Sequence, residues 1–255
     1  MDNEKKEEKK WPFVSSVLLK NRSFNPKKLA RDLRHDWGID VSEAMARDPE
    51  SPVFDRDGIL CTISYMPAKV PRGEAEERAV YNYMWPEAVT AAKEHQAHIL
   101  IALLGRQTDP RDMGKLMVKL AVSCLRQINA TGIYTIGTVM NPDVYIRAAE
   151  FAFRENRFPV MNLVYFELFS NDRGRTVSVD TYGLTAFGKQ EMEVVDSTRQ
   201  PQDLLGFMTE LTALVMDQDI DFPDGGKLNL PHDQSVDVHL VHDEKLDIDI
   251  LKFDY

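Results

Sequence analysis

The sequence predicts an α+β fold: two packed ferredoxin-like (β-α-β-β-α-β) halves with a C-terminal β-hairpin, the alternative being one large mixed sheet with flanking helices. Three observations predict it. Polar–Pro pairs recur just ahead of apolar stripes at helical spacing, and short alternating or continuous apolar runs fill the gaps between them. The 255 residues, 43% hydrophobic and 28% charged, are enough to bury a core and ordinary for a globular chain.

In chain order, residues 1–12 (MDNEKKEEKKWP) are charged and of low complexity, so a disordered tail is expected. Phe13 to Lys20 reads as a first strand. A signal peptide is the competing reading there, but the run carries two serines and lacks a small-residue cleavage site. Asn25-Pro26, Asp109-Pro110 and Asn141-Pro142 each start a helix, because proline at the first helical position wastes no N–H and the preceding side chain can cap. Pro201 does the same, and Trp85-Pro86 starts or kinks another helix. The stripes agree: Met113, Met117, Leu120, Cys124 and Ile128 in one helix, Leu204, Phe207, Met208, Leu211 and Val215 in another.

Ile59 to Met66 alternates, while His98 to Leu104 and Val160 to Phe169 are near-continuous apolar runs of the kind central strands show. Thr176 to Tyr182 and Met192 to Val195 are shorter strands. Val236–Leu240 and Leu246–Ile250 form the hairpin, and a phase change at Ile250-Leu251 predicts a bulge or the end of pairing. The order over 13–105 is the ferredoxin-like one, and a second copy can start near Gly132. The expected units are the tail 1–12, a half over 13–105, and a second half over 106–255 with the acidic hairpin.

Cys61 and Cys124 each lie in an apolar stretch, too few and too far apart for a disulfide framework or zinc site. No apolar run approaches the length of a membrane span, and a cytoplasmic location is expected. From Asp217 to Tyr255 there are eleven Asp/Glu and three Lys, so this stretch carries −8 of the net −10. Such charge repels nucleic acid and attracts basic proteins.

Gly183 to Lys189 matches the Gly-x4-Gly-Lys part of a phosphate loop, but Gln190 stands where magnesium binding needs Ser or Thr, and the acidic Glu191–Val195 strand follows where a helix should. The structural reading is a turn in which Gly183 and Gly188 take special backbone angles and Phe187 anchors the loop. Glu191 and Glu193 then read as solvated strand-face carboxylates. His95/His98 and His239/His242 repeat a three-residue spacing without the further ligands zinc needs. Asp217, Asp219 and Asp221 start like a calcium loop that fails at Phe222 and Leu228. No catalytic, metal or cofactor residues are therefore expected. Strand-face aspartates such as Asp247 and Asp249 keep an edge soluble, whereas Asp217, Asp219, Asp221, Asp224, Asp233, Asp237, Asp243 and Glu244 are denser than solubility needs and are the candidate partner surface.

Met84-Trp85-Pro86-Glu87-Ala88, His98–Ile101, Gly137–Pro142 and above all Thr181–Glu193 make the chain resemble the bacterial domain-of-unknown-function family DUF4261 over roughly residues 75–197. The first 70 residues and the acidic tail fall outside that stretch. The resemblance implies no known activity. It does imply an immunity role, since such relatives sit near toxin and secretion genes. The expected function is a non-enzymatic immunity protein that occludes a secreted toxin, a nuclease effector of a type VI-like system, through its acidic surface. The partner is then a basic protein, with no nucleic acid or membrane partner and a homodimer left open. The alternative is a small-molecule-binding or hydrolytic enzyme with a site between the halves, near Trp85, His98 and the Gly183–Glu193 turn. A structural subunit, betrayed by a large apolar patch, is a third reading.

Overall fold

The computed structural model describes residues 13–105, 108–171, 174–231, 234–244 and 246–255. The tail 1–12, expected to be disordered, and Asp233 of the expected partner surface lie outside the described residues.

The chain opens with β1 (Phe13–Leu19), α1 (Pro26–Trp37), α2 (Ser42–Arg47), the hairpin β2 (Val53–Arg56) and β3 (Ile59–Met66), the short helices α3 (Glu74–Arg78) and α4 (Ala88–Glu94), and β4 (Ala97–Gly105). Then come α5 (Pro110–Leu125), the hairpin β5 (Ala130–Thr135) and β6 (Thr138–Met140), α6 (Pro142–Arg154) and the single turn α7 (Val160–Leu163). The meander β7 (Tyr165–Asn171), β8 (Thr176–Tyr182) and β9 (Met192–Ser197) follows. The chain finishes with α8 (Pro201–Gln218), β10 (Lys227–Leu230), β11 (Gln234–Asp243) and β12 (Ile248–Phe253).

Helices start where proline and cap predict. Asn25 Oδ1 accepts from the Lys28 amide at 2.9 Å, Asp109 Oδ1 from Arg111 at 2.8 Å, and Asn141 Oδ1 from Asp143 at 2.9 Å. Pro201 opens α8 without a side-chain cap, and α4 starts two residues beyond Pro86. Ile128 leaves its expected stripe: it lies past the end of α5 and is 99% exposed.

The architecture is α+β, with two six-stranded sheets. The first is antiparallel throughout, in the order β2-β3-β4-β1-β5-β6. The predicted β-α-β-β-α-β succession is present as chain order over 13–105. Laterally, however, both β3 and β4 lie between β1 and β2, and the sheet continues into β5 and β6 beyond residue 105. The second sheet runs β10-β11-β12-β9-β8-β7, antiparallel except for the β12–β9 pair.

Two strand expectations change. Val160 to Phe169 is not one central strand: Val160–Leu163 is a buried helical turn and β7 is an edge strand. A short, mostly apolar run fits either conformation, and here its first turn fills space beside α6 and α8. The phase change at Ile250-Leu251 is not a bulge. Pairing with β11 stays in register from Val238↔Phe253 to Asp243↔Ile248. Both residues are buried because the sheet gains β9 as a neighbour at Leu251.

The core joins both sheets in one cluster around α5, whose apolar residues are buried on most of its circumference. α3 and α4 cover one end of the first sheet's other face, packing Ala75, Ala79, Ala88 and Ala92 on Leu18 and Val139. At its other end Val14, Leu60 and Leu104 stay about half exposed.

Candidate functional site

The Gly183–Gly188 turn is the structural device expected, with one addition. Gly183 and Gly188 take positive φ of 122° and 72° around a 3-10 turn. A Cβ on Gly183 would lie 2.6 Å from the Leu163 carbonyl oxygen. Phe187 is buried and meets Phe13 and Phe158 at ring-centroid distances of 5.6 and 5.2 Å.

The addition is Glu191, expected in solvent but only 4% exposed. Its Oε1 accepts from the amides of Gly183 (2.9 Å) and Thr185 (3.1 Å), and its Oε2 from the Thr181 hydroxyl (2.8 Å). A carboxylate of the chain itself thus fills the amide nest in which a phosphate loop would hold its ligand. Lys189, the other half of that motif, reaches back to Asp219 (2.9 Å) and Asp221 (2.8 Å).

The histidines serve the fold. His95 Nε2 accepts from the Val70 amide at 2.9 Å while Nδ1 meets the Ala92 carbonyl, and His98 Nδ1 meets the Ala68 carbonyl at 2.8 Å. Burial lowers the pKa of both. His239 and His242 pair separately with Asp254 (3.2 Å) and Asp249 (3.1 Å). Both cysteines are buried with unpaired thiols. Burial pushes the Cys61 thiol up to about 12 and Cys124 higher still, far from a reactive thiolate. Among the described residues no group of three His, Cys, Asp or Glu is arranged to hold a metal.

The candidate acids divide into three places. Asp217 accepts from the Phe158 amide at 2.6 Å and faces Arg157, while Asp219 and Asp221 share Lys189, with Arg111 3.4 Å from Asp219. Asp224 accepts from the Leu240 amide at 2.9 Å, and Asp237 pairs with Lys227. Asp243 accepts from the Leu246 amide at 3.0 Å beside the exposed Glu244.

This last place joins a feature the sequence did not bring together. Cross-strand register puts Glu167 opposite Asp180 and Asp180 opposite Glu193, with Lys252 next in line. Phe166, Val179, Met192 and Val194 point into the core, so this row lies on the sheet's other face. Like charges directly opposite are unfavourable. Burial raises the Glu193 pKa; Lys252 pulls against it, and Asp243 adds a smaller push upward. Burial, Glu167 and Asp180 raise that of Tyr182.

At the Glu167 end the face runs into a cleft of about 530 Å³ between the sheets, lined by Arg78, Tyr81, Ile136, Gly137, Tyr165, Glu167, Tyr182 and Gly183. Ile136 has φ 43°, a left-handed conformation that a β-branched residue rarely adopts. Tyr81 of its lining and the chain neighbours Val80, Tyr83 and Met84 are exposed. Trp85 and His98, expected at such a site, are packed elsewhere; of that prediction only Gly183 lines the cleft. Glu167, Asp180, Tyr165 and Tyr182 escaped sequence reasoning. Their signal is weak: polar residues at alternate positions in strands, whose alignment depends on register.

Residues 180–248 match a family model described as a domain of unknown function (DUF4261). The chain therefore carries a DUF4261 segment. It begins one residue ahead of the Thr181–Glu193 motif and takes in most of the acidic stretch, which lies outside the resemblance expected from the sequence. No curated protein and no solved structure matches this chain.

Proposed function

We propose that this protein is a non-enzymatic binding protein of the immunity type, which covers the basic working surface of a secreted toxin such as a nuclease. The observation that carries the reading is the row Glu167–Asp180–Glu193, with Asp243 beside it, on a half-buried sheet face that runs towards the exposed Tyr81 and Tyr83. Acidic groups steer a basic partner, and aromatic side chains anchor it once docked. The Asp219–Asp221 loop already spends much of its charge on Lys189 and Arg111. The reading puts the docking face at the Glu167 end of the row, where the exposed Tyr81 and Tyr83 can anchor a partner.

The test is co-purification with toxins encoded beside its gene, with association rates measured between about 0.05 M and about 0.5 M salt. A complex that silences the toxin, forming at least about ten-fold more slowly at high salt, is expected. No complex with any such toxin sinks the reading, and a rate flat with salt removes its electrostatic part. The cleft favours a second reading, a small-molecule-binding or hydrolytic enzyme; turnover lost in a Glu167→Gln variant would establish it instead.

A further inference from the structure

The cleft's hydrogen-bonding polarity specifies an occupant, and the inference rests on the binding reading above. The two phenols that form its β7 and β8 wall have already given away their protons. Tyr182 donates to Glu167 Oε2 at 3.1 Å, and Tyr165 donates to the Tyr81 carbonyl. What they and Glu167 still present inward is acceptors: phenolic lone pairs and the second carboxylate oxygen. The matching ligand is a donor, and the ring faces favour a flat cation over a compact one. Elsewhere in the lining, the cleft's own Arg78 lies over the Tyr81 ring with 5.9 Å from Cζ to the centroid. A cavity of about 530 Å³ is roomy for one side chain plus solvent.

We propose that this cleft receives the guanidinium of an arginine side chain from a basic protein partner, its N–H groups on Glu167 and the phenolic oxygens and its plane against a tyrosine ring. The exposed Val80, Tyr83 and Met84, next to Tyr81 in the chain, give the partner's surrounding surface apolar contact.

The test is an NMR titration of the full chain with blocked arginine (N-acetyl-arginine-N-methylamide), its norleucine counterpart and inorganic phosphate. Blocked arginine is expected to shift the Gly137 and Gly183 amides, and norleucine to leave them in place. Glu167→Gln, which keeps an acceptor for Tyr182, should weaken binding about ten-fold. Tyr81→Ala, which removes a half-exposed ring, should weaken it less, and Arg78→Ala should leave it unchanged or tighter. Equal shifts with norleucine, no shifts with arginine, or phosphate binding lost in Arg78→Ala would each overturn the assignment. Toxin binding without arginine binding would also overturn it while leaving the immunity reading intact. Arginine binding without any toxin partner would do the reverse.

Discussion

At the residue scale, Glu191 shows how a charged side chain can become part of the backbone's own hydrogen bonding. Two amides and two hydroxyls converge on it, from Gly183, Thr185 and Thr181, and the Thr181 hydroxyl in turn accepts from the Met192 amide. Removing the carboxylate strands those donors in a buried site. Glu191→Ala is expected to cost about 3 kcal/mol in chemical denaturation, and Glu191→Gln about half that, because an amide keeps one acceptor but turns an N–H₂ toward donors. A loss within about 0.5 kcal/mol for the alanine variant would mean that the turn stands without it. The glycines of this turn and Phe187 are legible in the sequence because their demands are local. Glu191 is not, because period-two reasoning puts it on the same face as Glu193. In the molecule it precedes β9 and turns inward.

At the element scale, α5 packs on the first sheet and meets α7 and the 184–187 turn on its other side, where its glycine marks a close approach. A Cβ on Gly114 would stand 2.8 Å from the Phe187 ring and 2.9 Å from Leu163. Gly206, on the exposed side of α8, has no atom within 4 Å of that position. Adding a side chain should therefore act oppositely at the two glycines. Gly114→Leu overpacks the α5–turn contact and is expected to lose about 3 kcal/mol. Gly206→Ala should gain about 0.5–1 kcal/mol through helix propensity alone. Thermal melts of both variants decide it; a neutral Gly114→Leu would show that the turn can back away from the helix. β12 makes a related point. Its residues read as half of a hairpin, and pairing with β11 follows, but its parallel seat beside β9 comes from elements far apart in the chain.

At the scale of the whole molecule, charge and protonation follow from where burial falls. His95 must stay neutral to accept from the Val70 amide, and burial lowers the pKa of both His95 and His98 below the ordinary 6.5. The unfolded chain then takes up protons first as pH falls below about 6.5, so stability that is full above that point is lost toward acid. Tm should fall between about pH 7.5 and about pH 5, before most carboxylates titrate, and less steeply in His95→Gln. A slope that is flat or reversed in the wild type would contradict the assignment.

By itself the sequence determined the α+β class, the helix starts at Pro26, Pro110, Pro142 and Pro201, most strands and the burial of both cysteines. These depend on caps, backbone angles and periodicities that act within a few residues. The departures of Gly183–Gln190 from a phosphate loop and of Asp217–Leu228 from a calcium loop are likewise read from the letters alone. Only the tertiary structure decided the rest: the lateral order of the strands, the edge position of β7, the inward turn of Glu191 and the alignment of Glu167, Asp180 and Glu193 beside the tyrosine cleft. Register sets these. It is fixed by contacts between residues far apart in sequence, so a one-residue slip in any pair would have dispersed the row without changing a letter of the chain.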